Sequence, residues 1–309
     1  MDANTSLGLW GVPLAVVGGA LRVSTPFLFV SLGECLTEKT GRVNLGLEGT
    51  LVMGAMVGFG AAYHSGSAFV GVLAACLVGA LLGALHGWLC GRPRVNDIAV
   101  GIAMMLFGVG LAFFLGKPLI KPTAPQLPSF PLGNFSDQPA IRAAFQVNVL
   151  FVLGVALAFG LRWMLRRSRW GLILRTVGES ADTARALGYN VGRVRLGATM
   201  VGGGLAGIGG AFLSLYYPGS WNEGLSSGQG LMAVALVIFS RWDPVRCLYA
   251  SLLFGGASAL GPALQSVGIT SGYYLFGAAP YVLTLVIMVA TSSATRTLPG
   301  QPAELIAAR

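Results

Sequence analysis

Long apolar runs decide what this chain can be. They recur in blocks of about 18 to 22 residues, the length that carries an α-helix across ~30 Å of hydrocarbon. The runs are Trp10–Leu32, Leu45–Tyr63, Ala68–Leu89, Ile98–Leu115, Val147–Leu165, Val194–Tyr217, Leu231–Phe239 with its flanks, Cys247–Leu264 and Tyr273–Ala290. A β-barrel would instead show short segments of alternating polarity, and these are absent. A soluble fold fails on surface. Only 10% of the 309 residues are charged, against roughly 25% in an ordinary soluble domain. The chain reads as all-α, a single polytopic membrane domain of about 8–10 transmembrane helices, because helices satisfy their own backbone in lipid.

Two of the runs are unusual. Trp10–Leu32 contains Arg22 and Pro26, so it is expected to break into an interfacial helix and a shorter span. The run after Gly230 is short before Arg241 and Asp243. Counted from Ser226 it holds only ~15 residues, or ~22 Å at 1.5 Å per residue. It is expected to be tilted, broken or locally buried in protein. The amino-terminal run lacks a basic lead-in, and Asp2 is acidic, so it is expected to stay in the mature protein rather than act as a signal peptide.

The positions of the lysines and arginines set an orientation. One set of alternate loops (33–44, 91–97, 162–195, 241–246 and the tail 293–309) holds 16 of the 20. The opposite set holds Lys117, Lys121 and Arg142, and Arg22 belongs to neither. The first set is therefore expected in the cytoplasm, with the C-terminus inside. This asymmetry accounts for the net charge of +9 without nucleic acid.

Two loops are long. Residues 116–146 are expected on the external side and carry Pro118, Pro122, Pro125, Pro128, Pro131 and Pro139. Proline fixes φ and removes a donor, so this stretch reads as an extended, semi-rigid cap. It is either an inert connector or a surface for an external partner. Residues 162–195 are expected in the cytoplasm. There Ser180 can cap a helix, Asp182 falls in its first turn, Ala184–Leu187 favour it, and Gly188 can close it. A helix of about two turns is not stable alone. It is expected to lie on another protein, or else on the membrane surface.

Other features are structural or negative. The pairs Gly54/Gly58, Gly79/Gly83, Gly83/Gly87 and Gly203/Gly207 are small-xxx-small spacings that let helices pack closely in lipid. Cys35, Cys76, Cys90 and Cys247 form no close pair, and His64 and His86 form no HExxH, so neither a disulfide framework nor a metal site is expected. None of the three lysines stands in GK[ST], so the chain has no P-loop for ATP.

Few polar residues fall near membrane depth, where each is a functional candidate. Asn44 and Glu48 are expected as i, i+4 neighbours on one helix face, forming a gate or a hydrogen-bond anchor between helices. Asn96 and Asp97 open the fourth span and suit an N-cap. Trp221 and Glu223 precede the short run, where they would line an outer mouth or form an aromatic interface anchor.

These residues carry a resemblance. GRVNLGLEGTLVMGA (Gly41–Ala55), GESADTARALGYNVGRVRLGATMVGGGLAGIGGAFLSL (Gly178–Leu215), SWNEGLSSGQGLMAVALVIFSRWDP (Ser220–Pro244) and PYVLTL (Pro280–Leu285) stand in order along the chain. Together they resemble the permease subunits of bacterial ABC importers of the branched-chain amino acid, ribose and nucleoside group. The EGTL, SWNEG and PYVLTL blocks look most like the nucleoside, or simple sugar, branch, and this chain resembles its shorter permease. Thr50, Ser180-Ala181 and Asn96-Asp97 depart from the usual residues of that pattern.

The resemblance implies a transport subunit, not an enzyme, in the bacterial inner membrane. It implies a second permease, an ABC ATPase that carries the ATP and magnesium, and an extracytoplasmic substrate-binding lipoprotein. It also implies that Gly178, Glu179, Ser180, Asp182, Thr183, Ala184, Arg185, Leu187 and Gly188 couple this chain to the ATPase. The substrate would be a nucleoside, with a branched-chain amino acid or a sugar as alternatives. A stand-alone secondary transporter is the reading from a different class.

Overall fold

The structure, a computed structural model, describes residues 11–120, 122–131, 141–142, 145–269, 272–291 and 300–307. Trp10, Lys121, Pro139, Arg296 and Arg309 lie outside the described residues.

Helices make up about three quarters of the described chain. In order they are α1 (Gly11–Glu38), α2 (Leu47–Ser65), α3 (Ala68–Cys90), α4 (Asp97–Gly116), α5 (Val149–Arg167), α6 (Arg169–Glu179), α7 (Ala181–Ala186), α8 (Val191–Leu215), α9 (Gln229–Phe239), α10 (Pro244–Ser266), α11 (Tyr273–Gly277), α12 (Ala279–Thr291) and α13 (Ala303–Ala307). Among the described residues, six helices are long and apolar enough to cross a membrane: α1, α3, α4 with its 3-10 extension to Leu119, α5, α8 and α10. The chain is a multi-pass membrane protein. The other expected spans are helices too. At 19 residues α2 is ~28 Å long, whereas α9 at 11 and α12 at 13 are each too short to cross alone.

α1 corrects one expectation. Pro26 does not break it; the helix runs unbroken for 28 residues. Every residue from Ser24 to Glu38 is buried, so packing on both sides holds the helix through the proline. Within protein the lost amide bond is tolerated because neighbouring helices surround it. As a result Glu34 and Glu38, expected in a loop, are buried helical residues.

The core forms where α1, α2, α3, α8 and α10 meet. α8 is its axis, and its glycines explain why. A Cβ at Gly79 or Gly83 of α3 would collide with the carbonyls of Gly203 or Thr199 of α8. A Cβ at Gly54 of α2 would stand 2.6 Å from the carbonyl of Gly207. Backbone meets backbone along these seams, as the small-xxx-small spacings predict. The outward faces of α3, α4 and α5 carry Leu73, Leu77, Leu81, Phe107, Phe114 and Phe159, all exposed. Such faces suit hydrocarbon as solvent.

The roots of the proline-rich stretch form a two-stranded antiparallel hairpin, β1 (Ser129–Pro131) with β2 (Gln146–Asn148). Leu127 is buried, and its amide donates to the Leu215 carbonyl at the end of α8 (2.9 Å). This hairpin marks the far end of the bundle. The arginine-rich loops mark the other, basic end.

Candidate functional site

Two constellations hold the residues singled out from the sequence. The first surrounds the start of α9. Glu48, one residue into α2, is buried, and its carboxylate reaches across to the residues that open α9. Ser226 Oγ donates to Oε1 (2.6 Å), the Gly228 amide donates to Oε1 (3.2 Å) and the Gly230 amide donates to Oε2 (2.6 Å). A helix start leaves amide donors without partners and carries a partial positive charge. Here a carboxylate from another helix supplies the acceptor. Gly228 lies in the left-handed region at φ 77°, which lets the chain turn into the short helix. Tyr281 of α12 steadies the same turn, its hydroxyl donating to the Ser227 carbonyl (3.0 Å). The short run is thus a broken helix whose inner start is held in protein, one of the three arrangements expected for it.

Asn44 does not share a helix face with Glu48, because α2 starts only at Leu47. Asn44 lies in the turn before it. Its Oδ1 accepts from the Gly46 amide (3.0 Å), and its own amide donates to Glu34 Oε1 (2.7 Å). The local Asx turn competes with helix at this residue. Asn96 is the N-cap of α4, accepting from the amides of Ile98 (2.8 Å) and Ala99 (3.1 Å), while Asp97 pairs with Arg42. Trp221 faces neither a mouth nor an interface. Its ring is fully buried beside Phe113, and Nε1 donates to the Gly116 carbonyl (2.9 Å). Glu223 is exposed in the following turn.

The second constellation is at the basic end. Residues 162–195 are not a loop with one helix. α5 continues to Arg167, α6 follows, and α7 is the short helix foreseen near Ser180. Sequence reasoning missed α6, although Gly171, Leu174 and Gly178 recur at i, i+3 and i+7, the spacing of one helix face. Ser168 Oγ caps α6, accepting from the Gly171 amide (3.0 Å). Ser180 Oγ caps α7, accepting from the Thr183 amide (3.1 Å). Gly188 at φ 83° closes it, with the Gly188 amide on the Arg185 carbonyl (2.9 Å) and the Tyr189 amide on the Ala184 carbonyl (3.0 Å). That is a Schellman ending.

The apolar face of α7 is covered by this chain itself. Ala181 and Ala184 pack with Val177 of α6 and Val191 of α8. The expectation that this face needs another protein is therefore corrected: α6 and α8 already shelter it. A bulky residue at Ala184 would strike the chain's own core. Glu179, Asp182, Thr183, Arg185, Leu187 and Gly188 remain outward and exposed, with Tyr189 beside them. Asp182 and Arg185 form an exposed i, i+3 ion pair. Gly178 is buried, because a Cβ there would collide with the Lys39 carbonyl.

The C-terminal segment ties α7 to the bundle, a feature with no local signal in the sequence. Glu304 Oε1 accepts from the Ala181 amide at the start of α7 (2.8 Å), and Oε2 pairs with Arg195 of α8 (3.0 Å). Arg195 Nε also donates to the Thr40 carbonyl (2.9 Å), and Lys39 Nζ donates to the Gly300 carbonyl (2.9 Å). Burial holds the Lys39 ammonium below the ordinary lysine range. On the neighbouring linker, Trp242 Nε1 donates to Glu38, and Asp243 pairs with Arg166 (3.0 Å).

This geometry can do two things. It holds a broken helix start inside the bundle, and it displays a mixed apolar and charged knob at the basic end. Both suit a transport subunit. The family comparison agrees. Residues 16–292 match the family described as branched-chain amino acid transport system, permease component. The chain is 33% identical over 259 residues to a protein of Haloferax volcanii provisionally named a glucose ABC transporter permease (82% of this chain, 79% of the relative). It is 29% identical over 288 residues to a nucleoside ABC transporter permease of Lactococcus lactis (88% and 90%). It is 28% identical over 289 residues to a guanosine ABC transporter permease of Bacillus subtilis (88% and 90%). With its fold, its motifs and nearly its whole length in agreement, this chain belongs to the branched-chain amino acid transport permease family, as an ABC transporter permease of the nucleoside and sugar type.

Proposed function

We propose that this chain is the shorter membrane subunit of an ATP-driven nucleoside importer. It forms the pathway with a second permease, receives substrate from an external binding lipoprotein and is driven by a separate ABC ATPase. The basic end faces the cytoplasm of a bacterial inner membrane, as the loop arginines favour, and the C-terminus lies there too. The observation that carries the reading is the α7 knob. Its core-facing side is closed by α6 and α8, its amino end is tied by Glu304, and Glu179, Asp182, Thr183, Arg185, Leu187, Gly188 and Tyr189 are left exposed for a partner. A surface so held moves as one body with α8, which suits rigid-body switching of the pathway when the ATPase closes. The sequence carries no P-loop, which fits an ATP site on another chain. The relatives named for nucleoside and guanosine transport support the substrate.

Simple sugars are the second reading, favoured by the 33% identity to the relative named for glucose. One experiment separates the readings. Labelled nucleoside uptake is measured in cells carrying the complete gene set, with and without this chain, against unlabelled adenosine, ribose and leucine. Loss of uptake without the chain and competition by adenosine alone is the expected result. Competition by ribose or leucine would move the substrate. Uptake that persists without the ATPase would overturn the importer reading in favour of a secondary transporter.

A further inference from the structure

α5 leaves the hydrocarbon at a basic elbow. Its outward face carries Val152, Leu153, Phe159 and Trp163, all exposed. Phe159 and Trp163 are i, i+4 neighbours, and Arg167 stands one turn further along the same face. From Val152 to Trp163 the apolar stripe runs ~17 Å at 1.5 Å per residue. Ser168 then takes an extended conformation, at φ −97° and ψ 158°, and turns the chain into α6, which opens with Arg169 and Trp170 exposed. Trp163 and Trp170, 65% and 71% exposed, therefore flank the arginines on both sides of the elbow. Tryptophans gather at the membrane–water boundary, where one end of the ring is apolar and the other wet.

The charges of the elbow are not balanced within the fold. Residues 149–178 hold Arg162, Arg166, Arg167, Arg169 and Arg175 and no acidic residue. Arg162 and Arg166 share one carboxylate, that of Asp243 (3.6 and 3.0 Å). Arg175 Nε donates to the Gly171 carbonyl of its own helix (3.3 Å). Arg167 and Arg169 are exposed and make no hydrogen bond or ion pair among the described residues. Two guanidinium forks are thus open, and their geometry matches a phosphate through two parallel N–H bonds.

We propose that the α5–α6 elbow binds an anionic phospholipid of the cytoplasmic leaflet. This goes beyond the transport reading and shares with it only the cytoplasmic placement of the basic end. Arg167 and Arg169 take the headgroup phosphate, Trp163 and Trp170 lie at the level of the glycerol, and an acyl chain follows the stripe through Phe159 to Val152. The occupant follows from the continuity of the two parts. A soluble phosphate answers the arginines but not the stripe. A soluble protein answers the arginines but cannot reach a face that lies in hydrocarbon. A zwitterionic lipid answers the stripe but brings its own cation to two arginines that lack a counter-charge. Clusters of arginine just cytoplasmic of a membrane helix favour anionic headgroups for this reason.

The test uses the full-length protein with its bound partners in phosphatidylcholine nanodiscs. Trp10→Phe and Trp88→Phe leave Trp163 and Trp170 as the exposed tryptophans, since Trp221 and Trp242 are buried. Brominated phosphatidylglycerol, a contact quencher, is titrated against brominated phosphatidylcholine. Phosphatidylglycerol is expected to reach half-quenching at a several-fold lower mole fraction. Arg167→Gln and Arg169→Gln are each expected to raise that fraction about fivefold, with Tm unchanged because both side chains are exposed. Arg193→Gln, an exposed arginine of the same end on α8, is expected to leave it within twofold. Equal quenching by the two lipids overturns the site. So does an equal loss in Arg193→Gln, which would make the preference one of net charge alone. Loss of the ATPase from the double variant with the lipid preference intact would hand the arginines to the partner instead. The readout needs no transport, so it can fail while the importer reading stands. The shared placement is checked separately: labelling of Thr183→Cys by an impermeant maleimide in intact cells would overturn the cytoplasmic placement, whatever the lipid preference.

Discussion

Replacing Glu48 by glutamine tests whether a carboxylate from α2 holds the broken helix. The amide oxygen can still accept from Ser226 and Gly228, which share Oε1. The new Nε2H₂ then faces the Gly230 amide, now 2.6 Å from Oε2, and two donors meet. One buried N–H loses its acceptor, at ~1–3 kcal/mol. The negative charge at a helix start is lost as well, at ~0.3–2 kcal/mol. Together these predict about 2–4 kcal/mol of destabilisation, or a fall in Tm of roughly 3–6 °C for a chain of this size. The protein provides its own reporter, since Cys35, Cys90 and Cys247 are free and buried. A thiol-reactive fluorophore added during a thermal ramp in detergent therefore reports unfolding. Gly230→Ala should give a comparable fall, because its Cβ would sit 2.7 Å from both Cα and Oε2 of Glu48. Glu223→Gln, an exposed carboxylate of the same loop, should stay within about 1 °C, as surface changes usually cost less than ~0.5 kcal/mol. A Glu48→Gln protein that melts with the wild type would refute the anchor.

Three further outcomes follow from the packing. Gly83→Ala should destabilise by ~1–3 kcal/mol through overpacking against Thr199, whereas Gly110→Ala, with open space around it, should be neutral or stabilising by up to ~1 kcal/mol; the same thermal ramp compares them. Trp221→Phe removes the donor to Gly116 and should lose ~1 kcal/mol, while Trp221→Ala should lose ~3–5 kcal/mol, again read as Tm. Asp182→Arg with Arg185→Glu should leave Tm within about 1 °C, since an exposed pair contributes little, yet lower transport per ATP hydrolysed at least tenfold in the assembled importer. Ala184→Trp should instead lower Tm, which separates damage to the core from damage to the docking face.

Much of this architecture was legible beforehand because the relevant signals are local. The lengths of the apolar runs, the cap at Asn96, the cap at Ser180, the closing Gly188 and the glycine spacings of α3 and α8 each depend on a few adjacent residues. α6 was also legible in its i, i+3, i+7 pattern but was hidden inside a basic stretch read as a loop. Asn44 misled because a helix-like spacing to Glu48 takes no account of an Asx turn.

The sequence alone determines that this chain lives in a membrane, which end of it is basic and where most helices start and stop. Burial of apolar runs and capping of helix ends are short-range choices that the chain makes wherever it lies. Tertiary structure alone decides what the polar residues do. Glu48 meets Ser226, Gly228 and Gly230 about 180 residues away. Glu304 reaches back 123 residues to the Ala181 amide. Packing carries α1 unbroken through Pro26, and the cavity lined by Arg22 and Gln229 exists only once α1, α9 and α10 have met. In lipid, a buried polar group is costly unless a partner is brought to it, and the fold, not the local sequence, brings that partner.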